Sequence, residues 1–225
     1  VTEMKNANLL SGSIVSTNGY YKENDGAGSK YKILTKEEYY NQLPEDCKLV
    51  EVSPKVTIKN WGDDYGNHKL KNGLIAKLVV ENSTTFPEQW GAKGDGISSD
   101  TEALICMFAL TKRGTINFKA TSTYIIADRT VNERSKYIDN RFCYSMVGTF
   151  TGGCQKPLIA NCDNLILNGN GCILKIPDDN FGKDSMSMIC LGNSINGLEI
   201  TNFIFDSNGL SMSDKNKTSN HTIVY

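Results

Sequence analysis

The sequence lacks several features that would point to a common functional class. No two of its seven cysteines have the Cys-x-x-Cys spacing of a zinc site, and their odd number predicts no disulfide framework. We expect reduced thiols, mostly buried as small apolar side chains, in a chain matured in a reducing cytoplasm. The two histidines, His68 and His221, stand far apart and predict neither a catalytic triad nor a metal site. No metal or cofactor is therefore expected.

Charge of one sign and long apolar runs are also scarce. The net charge of −1 lacks the basic excess of a general nucleic-acid binder, so no nucleic-acid partner is expected. No run approaches the roughly 18 apolar residues of a membrane span. The first residues, Val1–Asn6, do not form the apolar core of a secretory signal. The sequence predicts neither membrane insertion nor an ordinary secreted enzyme.

A glycine-dense turn that leads into a helix is the most informative segment. Gly91, Gly94 and Gly96 precede Ser99 and Glu102, which have the spacing of a helix-capping box. One apolar stripe at helical spacing follows, formed by Ala103, Leu104, Met107, Phe108 and Leu110. Gly114 is predicted to end the helix as its C′ residue. No Gly-Lys-Ser/Thr follows the glycines, so they predict a tight turn and not a phosphate-binding loop.

This segment resembles the opening of pectate-lyase-like right-handed parallel β-helices. The resemblance lies in Trp90-Gly-Ala-Lys-Gly-Asp-Gly96, followed by Asp100-Thr101 and the apolar helix. In that family the helix caps the N-terminal end of the solenoid. The chain departs from the family at Ser99, where a second acidic residue is usual. It also departs at 119–124, where Lys-Ala-Thr-Ser-Thr-Tyr replaces a Pro-x-Gly-x-Tyr bend.

The C-terminal half is predicted to form stacked coils of short strands. Asn161–Leu167 and Ser194–Ile200 align as equivalent parts of successive coils, with an insertion between them. The predicted strands are Thr115–Phe118, Tyr124–Ala127, Leu158–Ile159, Leu165–Leu167, Ile173–Ile176, Met188–Leu191, Leu198–Ile200, Phe203–Phe205 and Thr222–Tyr225. Asn and Gly between the runs favour tight corners, as at 168–171 and 196–197. Because the last run has no cap, we expect this chain to be the N-terminal part of a longer polypeptide.

Residues 1–85 are predicted to form a small β-rich module. The turn around Asp25-Gly26 predicts a hairpin, and Lys36–Leu43 predicts a short helical turn before Pro44. Further short strands are expected at Leu49–Val52, Val56–Trp61 and Leu74–Val80. Little core is expected within this module, so it should need oligomer partners or a host surface to be stable. Its segments Leu9–Tyr21, Asp25–Gly28 and Tyr31–Ile33 resemble the N-terminal regions of phage tailspikes and of pre-neck appendage proteins of short-tailed phages of Gram-positive hosts.

Together these patterns predict a mainly β chain in three parts. Residues 1–85 would be the N-terminal attachment module, residues 86–114 a linker turn and cap helix, and residues 115–225 the first rungs of a right-handed parallel β-helix. The resemblance implies a homotrimeric virion protein. It would dock on phage tail or collar proteins through residues 1–85 and present the β-helix to host surface glycan, either wall teichoic acid or polysaccharide. The alternative is a polysaccharide-degrading lyase or hydrolase, whose active site would lie beyond residue 225.

No catalytic residue can be assigned from the sequence, although glycan-cleaving β-helices use paired carboxylates. The acidic residues of the predicted coils are Asp163, Asp178, Asp179, Asp184, Glu199, Asp206 and Asp214. Turn capping and solvated loops are the commoner roles for such residues. Tyr20, Tyr21 and Trp90 could stack on sugars, but burial at a junction or subunit interface is favoured. Asn168 with Asn170, or Asn202 with Asn208, could form side-chain ladders at corners.

Overall fold

The computed structural model describes residues 1–47, 65–126, 158–177, 187–192, 194–207 and 222–224. Within these residues the chain is mainly β, with four sheets and three α-helices. One sheet is antiparallel and the other three are parallel.

The antiparallel sheet has the strand order β1-β2-β4-β3. Its elements and the helices beside it are α1 (Thr2–Asn6), β1 (Ile14–Thr17), β2 (Ser29–Leu34), α2 (Lys36–Asn41), β3 (His68–Lys69) and β4 (Ile75–Leu78). The predicted hairpin is confirmed as β1 and β2, and the predicted helical turn as α2. A capping box of Thr35 and Glu38, which the sequence analysis missed, begins α2. The predicted strands at 49–52 and 56–61 lie outside the described residues.

Asp25 organises the loop between β1 and β2. Its carboxylate accepts hydrogen bonds from the backbone N–H groups of Tyr20, Tyr21, Lys22 and Ala27 at 2.8–3.1 Å. Desolvation raises the pKa of Asp25, but these four donors outweigh it and hold the pKa below the ordinary value. The aspartate therefore holds the backbone of this loop in place through its carboxylate, in addition to lying in the predicted turn.

The chain contributes strands to three parallel sheets in a fixed order. The first sheet holds β5 (Thr84–Thr85), β7 (Gly114–Asn117), β10 (Cys162–Asn168) and β13 (Ile195–Thr201). The second holds β6 (Asp95–Ser99), β8 (Thr123–Ile125), β11 (Ile173–Lys175) and β14 (Ile204–Asp206). The third holds β9 (Leu158–Ile159), β12 (Ser187–Leu191) and β15 (Thr222–Val224). We call one passage through the sheets a coil.

The predicted repeat is confirmed by the strand register. Cys162 pairs with Ile195 and Leu167 with Ile200, so Asn161–Leu167 lies directly beneath Ser194–Ile200 in the next coil. Equivalent apolar residues stack inside the coils, for example Ile116, Leu167 and Ile200 in the first sheet. Each of the nine strands predicted in the C-terminal half has a counterpart in β7–β15.

The parallel sheets begin earlier than the sequence predicts. β5 pairs with β7 and β6 pairs with β8, so strand pairing starts at Thr84 and not after Gly114. Both strands were missed because β5 has only two residues and β6 is the polar sequence Asp-Gly-Ile-Ser-Ser. Neither strand shows the apolar alternation from which a strand is predicted. The glycine-dense turn is therefore partly a strand of the second sheet.

The helix α3 (Thr101–Leu110) stands in the first coil where a strand of the third sheet would stand, and it packs against β9. Ile105, Cys106 and Ala109 are buried together with four of the five residues of the predicted stripe, so the prediction of a single apolar face was wrong. The predicted capping box was also wrong. Ser99 lies in β6, and the N-cap residue is Asp100.

Gly114 does not terminate α3, because the helix ends at Leu110 and its C-cap is Thr111. Gly114 instead opens β7 with φ +90°, in close contact with Ser83. A Cβ at this position would collide with the backbone of Ser83. The glycine is thus required because the segment that precedes β5 passes very close to the start of β7.

One hydrophobic core extends from the antiparallel sheet through α3 into the coils. Its buried members include Tyr31 and Ile33 of β2, Leu104 and Phe108 of α3, and Leu167 of β10. The buried residues of the antiparallel sheet thus belong to the same core as those of α3 and the coils.

Candidate functional site

The outer face of the first sheet is a mostly polar surface. Inward Leu165 and Leu167 are fully buried, whereas Ile166 between them is exposed, so alternate residues face outward. Two outward rows run across neighbouring strands in register. The first row is Thr84, Thr115, Ile166 and Glu199, and the second is Asn117, Asn168 and Thr201. Hydroxyl, amide and carboxylate groups in such rows can hydrogen-bond to a polyhydroxylated ligand.

Asparagine side chains connect neighbouring coils at the corner after the first sheet. Asn168 Oδ1 accepts a hydrogen bond from the backbone N–H of Asn170 at 3.2 Å and a long one from Asn202 Nδ2 at 3.5 Å. Asn170 Nδ2 donates to the Phe118 carbonyl of the preceding coil at 2.8 Å. The predicted corner ladder thus includes Asn168, Asn170 and Asn202, while Asn208 lies outside the described residues. These amides stabilise the stacking of the coils.

The described acidic candidates are separated from one another. Asp163 accepts hydrogen bonds from the side chains of Asn164 and Asn196 at 3.2 and 2.8 Å, which is a structural role between coils. Glu199 is exposed in the middle of β13. Asp206 belongs to the second sheet, opposite Lys175. Asp178, Asp179, Asp184 and Asp214 lie outside the described residues. The structure therefore brings no predicted pair of carboxylates together among the residues it describes.

The aromatic candidates lie at the junction between the antiparallel sheet and the coils. Trp90 is buried, packs against Gly66, and donates from Nε1 to Thr85 Oγ1 at 2.8 Å. The Tyr20 ring packs on His68 with ring centroids 5.4 Å apart. Tyr21 is exposed, although its hydroxyl donates to the Gly91 carbonyl at 2.6 Å. Junction burial is therefore confirmed for Trp90, and His68 is a buried packing residue. His221 lies outside the described residues.

Asp100 ties the glycine-dense segment to the second sheet. One carboxylate oxygen accepts from the backbone N–H groups of Lys93 and Gly94 at 2.6 and 3.3 Å, and the other accepts from that of Ile125 at 3.0 Å. Burial raises the pKa of this carboxyl above its ordinary value, and the three donors oppose that shift. Because every one of these contacts is with backbone, the acidic residue of the Asp100-Thr101 motif has a structural role.

A buried tyrosine, which the sequence analysis did not single out, holds the second coil to the turn at Pro87–Trp90 in the first coil. The Tyr124 hydroxyl donates to Glu88 Oε1 at 2.6 Å and accepts from the Lys119 N–H at 3.1 Å. Desolvation, reinforced by the Glu88 carboxylate, raises the pKa of Tyr124, so the phenol remains a neutral donor. Only the predicted strand around Tyr124 hinted at its burial.

Across the described part of the chain, no group of three or more His, Cys, Asp or Glu side chains is placed to hold a metal ion. None of the helices in that part is long and apolar enough to cross a membrane. No protein-family model matches the chain, and no curated protein matches it significantly.

Proposed function

We propose that this chain belongs to a phage appendage or tailspike protein that recognises host surface glycan. In this proposal the three parallel sheets are the sides of a right-handed parallel β-helix, the connection geometry that parallel strands overwhelmingly adopt. Residues 1–85 attach the protein to the tail or collar of the virion, and the coils project outward. The protein is a homotrimer, made in the host cytoplasm and incorporated into the virion.

The confirmed register of 161–167 beneath 194–200 is the observation that supports this proposal most. It places successive coils directly over one another, as a solenoid requires, with polar rows on the outer face of the first sheet. The two sequence resemblances occur in the order expected of a spike, with the attachment region before the solenoid. The rows of Asn, Thr and Glu side chains can hydrogen-bond to the hydroxyl groups of a glycan, and they carry none of the basic side chains that nucleic-acid binding requires.

Attachment is tested with particles of the parent phage that were assembled without this protein. The purified chain should sediment as a trimer, and particles incubated with it should carry it after gradient purification. A heat-unfolded sample of the same chain is the control for non-specific adsorption. Particles that take up no more of the native chain than of the control would contradict the attachment function.

Glycan recognition is tested with purified cell walls of a Gram-positive host. Walls with intact teichoic acid are compared with walls from which it has been extracted, because loss of binding on extraction identifies the ligand. We expect the chain to bind walls without releasing oligosaccharide. Release of oligosaccharide would favour the depolymerase alternative, and failure to bind either preparation would refute recognition by this chain.

A further inference from the structure

Among the residues that the structure describes, the antiparallel sheet ends on a strand whose outer edge is open. In that part of the chain β1 stands at one end of the strand order and pairs only with β2. The Ile33 N–H donates to the Ser13 carbonyl, so the alternation of an antiparallel ladder directs the N–H and C=O groups of Ile14 and Ser16 away from β2. Within the described residues these outward groups have no hydrogen-bond partner.

This edge is only partly protected against strand addition. Natural edge strands carry lysine, proline or a bulge that prevents another strand from pairing with them. β1 is short, and a bulge precedes it, where Gly12 and Ser13 both bond to Ile33. Over its four residues, however, β1 is Ile-Val-Ser-Thr, an uncharged sequence without lysine or proline, and it pairs with β2 in regular register. Beside it, the side chains of Leu10 and Ile14 are 77% and 67% exposed. Large exposed aliphatic side chains next to an open edge indicate a surface that a partner covers.

A groove of about 560 Å³ lies beside the same strand, between β1 and α1. Its apolar lining includes Met4 and Leu9 on one side and Val15 of β1 on the other. Glu3 and Lys22 line it as well, so it contains charges of both signs. An edge strand flanked by a helix and a groove is the geometry used by domains that bind peptides by strand addition.

We propose that this edge and groove bind an extended peptide segment of another virion protein as a fifth strand of the sheet. The peptide backbone pairs with the outward groups of Ile14 and Ser16, and alternate side chains of the peptide enter the groove beside Val15. The source of the peptide rests on the proposed function, whereas the binding site rests only on the geometry.

A second copy of this chain fits the edge less well than a peptide does. The four residues of β1 span roughly 13 Å, and pairing over that length falls far short of the roughly 800 Å² per partner that a stable interface buries. Two β1 strands that pair with each other are related by a two-fold axis. The subunits of a closed trimer are related by a three-fold axis, so such a pair cannot form between them. An extended segment needs only the edge and the groove, and three such sites in one trimer multiply a weak affinity.

The first experiment measures peptide binding without any virion component. A displayed library of random ten-residue peptides is selected on the whole chain, and the selected peptides are titrated against Ser16→Pro and Ser16→Ala. Proline removes the outward N–H at a place where an edge strand tolerates it, and alanine retains that N–H. We expect binding about tenfold weaker for Ser16→Pro and unchanged for Ser16→Ala. The bound peptide should also protect the amides of Ile14 and Ser16 from hydrogen exchange.

A second variant, Ile14→Lys, keeps every backbone group and places a charge on the edge. It should also weaken peptide binding, and the unfolding temperatures of all three variants should match that of the unmodified chain. Selection of no peptide, or equal binding by Ser16→Pro and Ser16→Ala, would overturn the proposal. An oligomer that dissociates in Ser16→Pro, and that the selected peptides do not compete with, would assign the edge to a second copy and would also overturn it.

Incorporation into particles separates this inference from the proposed function. If the unmodified chain joins particles and Ser16→Pro does not, the edge is the virion contact. If both join equally, the edge does not bind the virion and the inference fails while the attachment function stands. If the unmodified chain does not join at all, the attachment function fails, and with it the virion source of the peptide. The peptide titration then decides the site by itself.

Discussion

Asp100 is a buried carboxylate whose three hydrogen bonds all hold backbone N–H groups. Asp100→Ala should lower the free energy of unfolding by about 3 kcal/mol, because several buried N–H groups lose their acceptor. Asp95→Ala is the matched control. Asp95 also accepts from two backbone N–H groups, those of Ile97 and Ser98, but it is exposed and water can replace it. We expect a loss of about 1 kcal/mol there in urea denaturation, and equal losses would contradict the structural role of Asp100.

Asp25 should make the stability of the chain depend on pH. Its folded pKa lies below the ordinary value of 3.8, so its stabilising effect is full above that pH and is lost as the pH falls through the folded pKa. Asp25→Asn should therefore cost about 1 kcal/mol at pH 7 and progressively less below pH 3.8. Denaturation at a series of pH values checks this, with Glu23→Gln as the control. A difference from the unmodified chain that stays constant down to pH 2 would contradict the prediction.

The residues of the motif could be recognised from the sequence, but the contacts that these residues make could not. Asp100-Thr101 and the glycines were recognised as a motif, but the N-cap position was assigned to Ser99, whereas the N-cap residue is Asp100 and its side chain does not cap the helix. Sequence spacing alone cannot distinguish a carboxylate that caps its own helix from one that bonds Lys93, Gly94 and the distant Ile125. Those partners come together only when the second sheet forms.

At the scale of elements, strands with apolar alternation could be predicted and strands without it could not. β10 and β13 were found because inward leucine and isoleucine alternate with outward residues. β5 and β6 were missed because their pairing depends on backbone hydrogen bonds and on neighbours far along the chain. The predicted face of α3 was too narrow for a related reason. A helix that packs against both β9 and the turn at Pro87–Trp90 buries more of its surface than one that lies on a core from outside.

Substitution of two glycines with similar φ angles separates the cost of backbone strain from the cost of a steric collision. Gly114 and Gly171 have φ of +90° and +82°, so alanine is strained at both, but only at Gly114 would a Cβ collide, against Ser83. Gly171→Ala should cost about 1 kcal/mol. Gly114→Ala should cost about 3 kcal/mol or more, because β7 must move away from the chain that leads into β5. Thermal unfolding compares the two, and equal costs would refute the role of the Ser83 contact.

At the scale of the whole molecule, the continuous core predicts that residues 1–47 and the coils unfold together. Trp90→Leu removes a buried ring at the junction and should lower the free energy of unfolding by about 2–3 kcal/mol in a single transition. Hydrogen exchange should accelerate equally in β2 and β7. Phe86→Leu, at an exposed neighbouring position, should change little. Loss of protection confined to either side of Trp90 would show two separate units.

The shared core also bears on how the chain folds as it is synthesised. The last strand of the antiparallel sheet ends at Leu78, so the sheet can form while later residues are still being added. When α3 emerges, an apolar surface that includes Tyr31 and Ile33 is already present to receive it. Each later coil then meets an edge that the previous coil has completed. The first part of the chain is thus a template for the rest, and parallel pairing, ordinarily slow to start, has a nucleus from which to grow.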